Sequence, residues 1–227
     1  MPFSAVTIGV SMIVTGLFAG GPSVLESSGQ RSGIVKPARP SVRVTHDGIV
    51  GDVQVDRRYH GGPEQAAHQF AVAHYAAIVT RYPALAGVAV PGSIGENLSC
   101  ATLDETTVCV GDVYSFGEVA LEVSQPRRPC TKIDARYAMD GMARWIAARG
   151  TPGWYYRVVK PGVITVGDPV ALVTRPNPDV PLARLIAATG DAQPDITELE
   201  RLVACTGLGS DWQRRLRERL AHVRQRG

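Results

Sequence analysis

A chain of 227 residues, 44% hydrophobic and 20% charged, is long enough for one sizeable core with a small appendage and has a globular, not a disordered or fibrous, composition. Its net charge of +3 is too slight to mark a nucleic-acid binder. Four cysteines (Cys100, Cys109, Cys130, Cys205) show neither a CxxC pair nor zinc-type spacing, and in a chain with this much core they do not read as a disulfide framework.

The apolar run 5–20 raises the question of a signal peptide or a membrane span. It is short for a span, it lacks a basic leader, and Thr7, Ser11 and Thr15 interrupt it. The expectation is a first strand over 12–17 behind a loose extension, with Met12 an alternative start, no membrane segment, and the cytoplasm as the default location. Gly20-Gly21-Pro22 ends that strand. A polar loop over 27–33 then leads into Ile34-Val35-Lys36-Pro37, where Arg31, Ser32 and Lys36 are donors for an anion or members of a solvated turn. Residues 41–45 alternate as a strand and 48–52 are rich in turn formers. In Tyr59-His60-Gly61-Gly62-Pro63-Glu64 the glycines allow close backbone approach, and Pro63 suits the first turn of a helix expected over 64–81. His60 falls just before that helix and is either structural or catalytic. His68 and His74, six residues apart, are poorly spaced for one metal and read as structural.

Glu96 and Asn97, in the glycine-punctuated turn 92–98, either meet a ligand or satisfy the turn itself. From Thr106 onward strands are expected over 107–110, 113–116 and 119–123, with Cys100 and Cys109 in the core. Next comes Ser124-Gln125-Pro126-Arg127-Arg128-Pro129-Cys130-Thr131-Lys132, a strand-to-helix connection bracketed by two prolines. Cys130 stands within three residues of Arg127, Arg128 and Lys132. Such cations favour thiolate, the form that attacks electrophiles and binds metals, and they attract anions. The competing reading is a buried, inert thiol beside a solvated basic turn.

A helix is expected over 139–149, with Gly150 as its stop, then strands over 154–159, 162–166 and 169–174. Closely spaced strands with a few helices argue for an α+β barrel. No GxGxxG or GxxxxGK[ST] loop appears, so neither a dinucleotide nor a P-loop nucleotide is implied. Residues 175–179 have a linker's composition, and helices over 181–188, 196–205 and 210–224 follow. The expected division is a barrel domain, 1–177, and a three-helix domain, 178–227. Six arginines against Asp211 and Glu218 in 207–227 form a solvated face or a docking surface. Nucleic acid is the weaker partner because no aromatic residues interleave with the charge.

Four blocks in this order resemble the signature of MOSC domains, named after the C-terminal domain of molybdenum cofactor sulfurase: Arg31-Ser32-Gly33-Ile34 with Lys36, Gly51-Asp52 with His60-Gly61-Gly62-Pro63-Glu64, Gly95-Glu96-Asn97-Leu98, and Gln125-Pro126-Arg127-Arg128-Pro129-Cys130. The appended helices resemble those of the YiiM-type branch. The resemblance implies a MOSC-type β-barrel with flanking helices and a small all-α C-terminal domain, and a molybdopterin-type molybdenum cofactor. It makes Cys130 the thiolate ligand of the metal and pairs it with His60 at the catalytic centre. Arg31, Ser32, Lys36, Arg127, Arg128 and Lys132 become candidates for the pterin phosphate and ring, with the amides of Gly61 and Gly62 completing an anion site and His60, Glu96 and Asn97 lining the cavity. Pyridoxal phosphate binding is a further implied property. The implied activity is reduction of N-hydroxylated compounds, such as hydroxylamino-purines, to amines by oxygen-atom transfer to reduced molybdenum, a detoxification of N-hydroxylated bases. The sequence carries no flavin, haem or iron–sulfur motif, so a separate reductase would supply the electrons, with the three helices as a candidate dock and a homodimer compatible with the resemblance. Two other classes use the same residues: a cofactor carrier or sulfur-transfer protein with a persulfide on Cys130, and an anion-binding module without redox chemistry.

Overall fold

The computed structural model describes residues 12–55 and 61–225. In chain order the elements are β1 (Val14–Leu17), β2 (Ser23–Val24), β3 (Arg31–Ser32), β4 (Ser41–Thr45), β5 (Gly48–Ile49), a 3₁₀ turn (Pro63–Gln65), β6 (Ala67–Gln69), α1 (Ala73–Arg81), a second 3₁₀ turn (Pro83–Leu85), β7 (Leu98–Cys100), β8 (Val113–Phe116), β9 (Val119–Pro126), α2 (Lys132–Tyr137), α3 (Met142–Ala148), β10 (Trp154–Lys160), β11 (Gly162–Thr165), β12 (Val170–Thr174), α4 (Leu182–Gly190), α5 (Ile196–Val203) and α6 (Ser210–Arg224).

Seven strands form the main sheet in the order β1-β7-β6-β10-β9-β8-β12, antiparallel except at β6–β7. Alternation along β9 sends Val119, Leu121 and Val123 inward, and Trp154 and Tyr156 of the neighbouring β10 join them. The sheet curls until its edges meet beside β1: Val170 N–H donates to Met12 O at 2.8 Å and Gly167 N–H to Val14 O at 2.9 Å. The result is the barrel-like α+β architecture that the strand pattern predicts. A smaller sheet, β11-β4-β5, packs beside it.

Two apolar clusters fill the molecule. One occupies the sheet's interior around Leu98, Phe116, Leu121 and Trp154, and it runs on without a break into Leu185, Leu199, Leu202 and Leu216 of the C-terminal helices. The other lies between the sheet and α1–α3, around Phe70, Tyr75, Ile94, Ile133 and Met142. Among the described residues no helix is long and apolar enough to cross a membrane.

Several expected elements change. The helix predicted over 64–81 is a 3₁₀ turn, then strand β6, then a helix only from Ala73. Ala67 and Gln69 are drawn into the sheet opposite Tyr156 and Trp154, and tertiary pairing overrides the helical spacing of Phe70, His74 and Ile78. The strand predicted over 107–110 is a turn with a single bridge, Cys109 to Pro181. The helix predicted from Met139 begins at Met142, because Asp134 of α2 accepts from Gly141 N–H and Ala143 N–H and fixes its start.

The segment 175–179, a linker by composition, is tied down. Arg175 donates to both oxygens of Asp112, at 2.9 and 2.7 Å, and Asn177 bonds Val110 O and Thr206 O. Asp112 is fully buried and also accepts from Cys109 N–H and Tyr114 OH. Removing one partner of such a pair strands the other in a dry site. Arg175→Ala should therefore lower the unfolding free energy by roughly 2–3 kcal/mol in urea titrations, and Arg175→Ala with Asp112→Asn should lose less than Arg175→Ala alone.

Candidate functional site

The last ladder bond of the β9–β10 pair runs from Arg127 N–H to Gly153 O at 2.9 Å, and there the chain leaves the sheet. Pro126 and Pro129 bracket the exit, and α2 begins at Lys132. Cys130 therefore sits on the strand-to-helix connection expected of it, as a free, half-buried thiol. It faces a recess enclosing about 580 Å³ of empty space, part of it open to solvent.

β3 and the segment after it supply Ser32, Ile34 and Lys36 to the lining of this recess. Gly33 lies so close to Val53 that a Cβ there would stand 2.1 Å from its carbonyl oxygen, and Gly95 holds a positive φ of 88° against Ile34. Both glycines of the sequence blocks are thus required by close approach and backbone conformation. The strand-to-helix connection supplies Arg127, Cys130 and Lys132. His68, Asn97 and Tyr155 also line the recess, with Val53, Gln54 and Val55. Across the sheet Tyr155 lies in register between His68 and Gln125, and its ring centroid is 5.2 Å from that of His68.

The charges in this recess are unequally compensated. Lys36 and Asp52 form an ion pair with side chains only 7% and 4% exposed. Asp52 also accepts from Gly20 N–H at 3.2 Å and Asn97 Nδ2 at 3.1 Å, while Asn97 Oδ1 accepts from His68 N–H at 3.0 Å. Burial lowers the pKa of Lys36, opposed by Asp52. Arg127 has no such partner. Its guanidinium is buried, one nitrogen donates to Ile94 O at 2.9 Å, Nε has no acceptor, and it makes no ion pair among the described residues. His68 is held well below the ordinary imidazole value by burial first and then by the charges of Arg127 and Lys36, and its Nε2 also lacks a hydrogen-bond partner. Burial raises Tyr155, which therefore keeps its phenolic proton.

Of the residues singled out by sequence, Ser32, Lys36, Asn97, Arg127, Lys132 and Cys130 meet at this recess. Arg31 and Arg128 are exposed and do not line it. Glu96 is fully buried behind it, accepting from Tyr75 OH and Gly92 N–H at 2.6 Å each and from Ile94 N–H at 3.3 Å, so it satisfies the turn. Gly61 and Gly62 lie outside the lining, and the Gly61 N–H is already given to Gln65 Oε1 at 3.1 Å. His60 lies outside the described residues.

His68, Tyr155, Gln54 and Gln65 are site residues that sequence reasoning passed over. Tyr155 had a signal, since alternation with the apolar Trp154 and Tyr156 puts it on the other face of β10. His68 had none, because its stretch reads as a helix. Among the described residues no group of three or more His, Cys, Asp or Glu could hold a metal ion. A metal here would take Cys130 from the protein and its other ligands from elsewhere.

Comparison with known proteins identifies the family. Residues 56–171 match the model of the MOSC domain. The chain is 33% identical over 176 residues to Protein YiiM of Escherichia coli (strain K12), covering 78% of each chain. The crystal structure of YiiM from Escherichia coli superposes with a TM-score of 0.77 at 27% identity, covering 92% of this chain and 93% of the other. A protein named Reductase from Gibberella moniliformis is 37% identical over 132 residues, 58% of this chain and 23% of that much longer one.

The neutral histidine gives a pH signature. The unfolded ring takes a proton near its ordinary value of 6.5 and the native ring resists it, so the unfolded chain binds more protons as the pH falls below that point. Stability from this site is complete above pH about 6.5 and is lost as the pH falls toward the lowered native value. Unfolding free energy should decline more steeply from pH 6.5 to 5 in the wild type than in His68→Gln, by a slope difference approaching about 1.4 kcal/mol per pH unit, the limit for one proton. Equal slopes would mean that the ring titrates normally.

Proposed function

The chain belongs to the MOSC domain family, a family associated with the molybdenum cofactor, and from that premise we propose that it is a molybdenum-cofactor oxidoreductase that reduces N-hydroxylated compounds, such as hydroxylamino-purines, to amines. The observation that carries this reading is the shared recess of Cys130 and the uncompensated guanidinium of Arg127. A buried cation without a counter-charge is costly, and an anionic ligand relieves it. A soft sulfur beside it adds a donor suited to molybdenum. A metal bound by an anionic pterin dithiolene satisfies both requirements.

The residues fit that group. Cys130 would ligate the metal, and Arg127, Lys132 and Lys36 would hold the phosphate and pterin, with Ser32 beside them. When bound, the cofactor supplies a two-electron metal centre able to accept oxygen from an N–O group. The protein's own part is to bind, orient and donate. Arg127 is pinned by Ile94 O and offers its free Nε toward an anion. Ile34, Val53 and Val55 add apolar surface that displaces water from a planar substrate. Tyr155, still protonated, is a donor in the lining of the recess. Electrons come from a separate reductase, and the reductase-named relative supports an oxidoreductase role. Pyridoxal phosphate would use the basic wall but leave the sulfur without a role. A persulfide carrier would use the sulfur but leave the guanidinium without one. Both therefore fit less of the site.

Protein purified from cells that make molybdopterin should contain about one molybdenum and one pterin per chain, on the rule that buried charges are paired or coordinate metals. Cys130→Ser should lose the metal with the fold intact, since a hydroxyl is nearly isosteric and a poor soft-metal ligand. Arg127→Met should retain at least about tenfold less pterin, the scale of one buried charge-assisted contact. A wild type without molybdenum, or a Cys130→Ser protein that keeps it, would refute the assignment. A persulfide on Cys130 in metal-free protein would replace it with sulfur transfer.

A further inference from the structure

The proposed chemistry draws electrons from outside the chain, and the surface beside Cys130 carries an unusual charge. Between Arg127 and Arg149 stand the buried Arg127 and five further cations (Arg128, Lys132, Arg136, Arg144, Arg149) against Asp134 and Asp140, an excess of three without Arg127 in a chain whose total excess is three. Asp134 is occupied in capping α3. None of the six cations makes an ion pair among the described residues. The arginine-rich helix α6 is the opposite case. Arg214 and Arg215 pair with Asp211, Arg214 also reaches Glu218, Arg224 pairs with Glu200, and Arg219 donates to Asp191 O.

The uncompensated charge is also well placed. Lys132 lines the recess, and Arg136 lies one turn further along α2, about 6 Å away along its axis. Arg128 is exposed two residues before Cys130, and Arg144 and Arg149 are exposed on α3 and at its C-terminal end. Helices α2 and α3 share one apolar cluster with Ile34 and Ile94 beside the recess, so they move as part of its wall. Arg136 stacks on Tyr137 at 5.7 Å and Arg149 on Trp145 at 5.1 Å, which limits their freedom.

We propose that the basic surface of α2 and α3 docks an acidic electron-transfer protein that reduces the site, an inference that rests on the oxidoreductase reading above. In each turnover R–NH–OH takes two electrons and two protons to give R–NH₂ and water. The N–O bond breaks, and the reduced carrier leaves oxidised by two electrons. Complementary charge steers such encounters and makes them salt-dependent. Nucleic acid is the rival polyanion. It is disfavoured because the half-buried aromatic rings on this surface are already capped by arginines, Trp145 by Arg149 and Tyr82 by Arg81, and Tyr137 is buried.

The test measures binding of purified flavodoxin, an acidic flavoprotein carrier, to the full chain by calorimetry at low and moderate salt. Binding at low salt should weaken at least about tenfold on raising the salt, and at least about tenfold in Arg128→Glu/Arg136→Glu. Arg144→Glu/Arg149→Glu should weaken it by a smaller factor, and Arg217→Glu on α6 should leave it unchanged. Circular dichroism checks that each variant is folded, and Arg144→Gln/Arg149→Gln supplies the reading where a charge reversal does not fold. The inference is overturned by a wild type that does not bind at low salt, by basic-face variants that bind as the wild type does, or by Arg217→Glu losing as much. A single-stranded DNA oligonucleotide that displaces flavodoxin and binds more tightly would overturn it in favour of nucleic acid. Because binding is read without turnover, failure here with molybdenum present removes the dock alone. Salt-sensitive docking by a protein that holds no molybdenum removes the reductase reading instead.

Discussion

A guanidinium kept out of water without an ion pair among the described residues is the constraint to which the rest of this site answers. Arg127 is held by a single carbonyl, Ile94 O, and that carbonyl belongs to a turn whose own amides are gathered by Glu96. The Glu96 carboxylate is in turn bonded by Tyr75 OH from α1. Burial raises its pKa, while Tyr75, the turn amides and the charge of Arg127 oppose that shift. Glu96 thus acts on the site without touching the recess: it fixes the turn that aims the guanidinium forward and stands behind it as a carboxyl that does not pair with it. A ligand in front of Arg127 meets a charge that the protein has positioned and left unanswered.

The C-terminal helices serve that same placement. Gly209 N–H donates to Ser124 O at 2.8 Å and Trp212 Nε1 to Pro126 O at 3.1 Å, so the start of α6 grips the last residues of β9 just before Arg127 and Cys130. Glu64 completes the clamp, accepting from Ser210 N–H and Oγ and from Arg157 on β10. With Leu182, Leu185, Leu199 and Leu216 in the sheet's own core, these helices brace the strand that delivers the thiol. Their arginines largely neutralise carboxylates of the same helices. A deletion from Asp179 onward would open this core, so it cannot report on partner docking alone.

The sequence was most legible where local rules and tertiary demands coincide. Strand β9, the strand-to-helix placement of Cys130 and the bounds of α6 follow from alternation, proline and glycine punctuation, and helical spacing. It was least legible around β6. There Ala66, Ala67, His68 and Gln69 are all buried, so neither period appears, and only pairing with β10 and β7 makes them a strand. Helical spacing therefore puts His68 on a helix and outside the site. The family blocks located the glycines and cations but not their division of labour. That Lys36 pairs with Asp52 while Arg127 has no ion pair among the described residues depends on which side chains meet across the 16 positions that carry β4 and β5, which no spacing reveals.

That division sets the charge a ligand must bring. Lys36 with Asp52 is a neutral pair, so two positive groups in the lining, Arg127 and Lys132, remain without carboxylate partners among the described residues. His68 would have been a third cation, but its environment keeps it uncharged. Protonating it beside Arg127 would add repulsion without a counter-ion. Under the reading proposed above, two cations without ion pairs suit a phosphate monoester, which carries roughly −1.5 to −2 at neutral pH. A monoanion would leave part of the buried charge unanswered, and a polyphosphate would exceed it and need a metal ion or exposed arginines such as Arg31 and Arg128 to balance the surplus. Under that same reading, the neutrality of His68 bears on ligand choice as well as on stability, because it adds no third cation to Arg127 and Lys132.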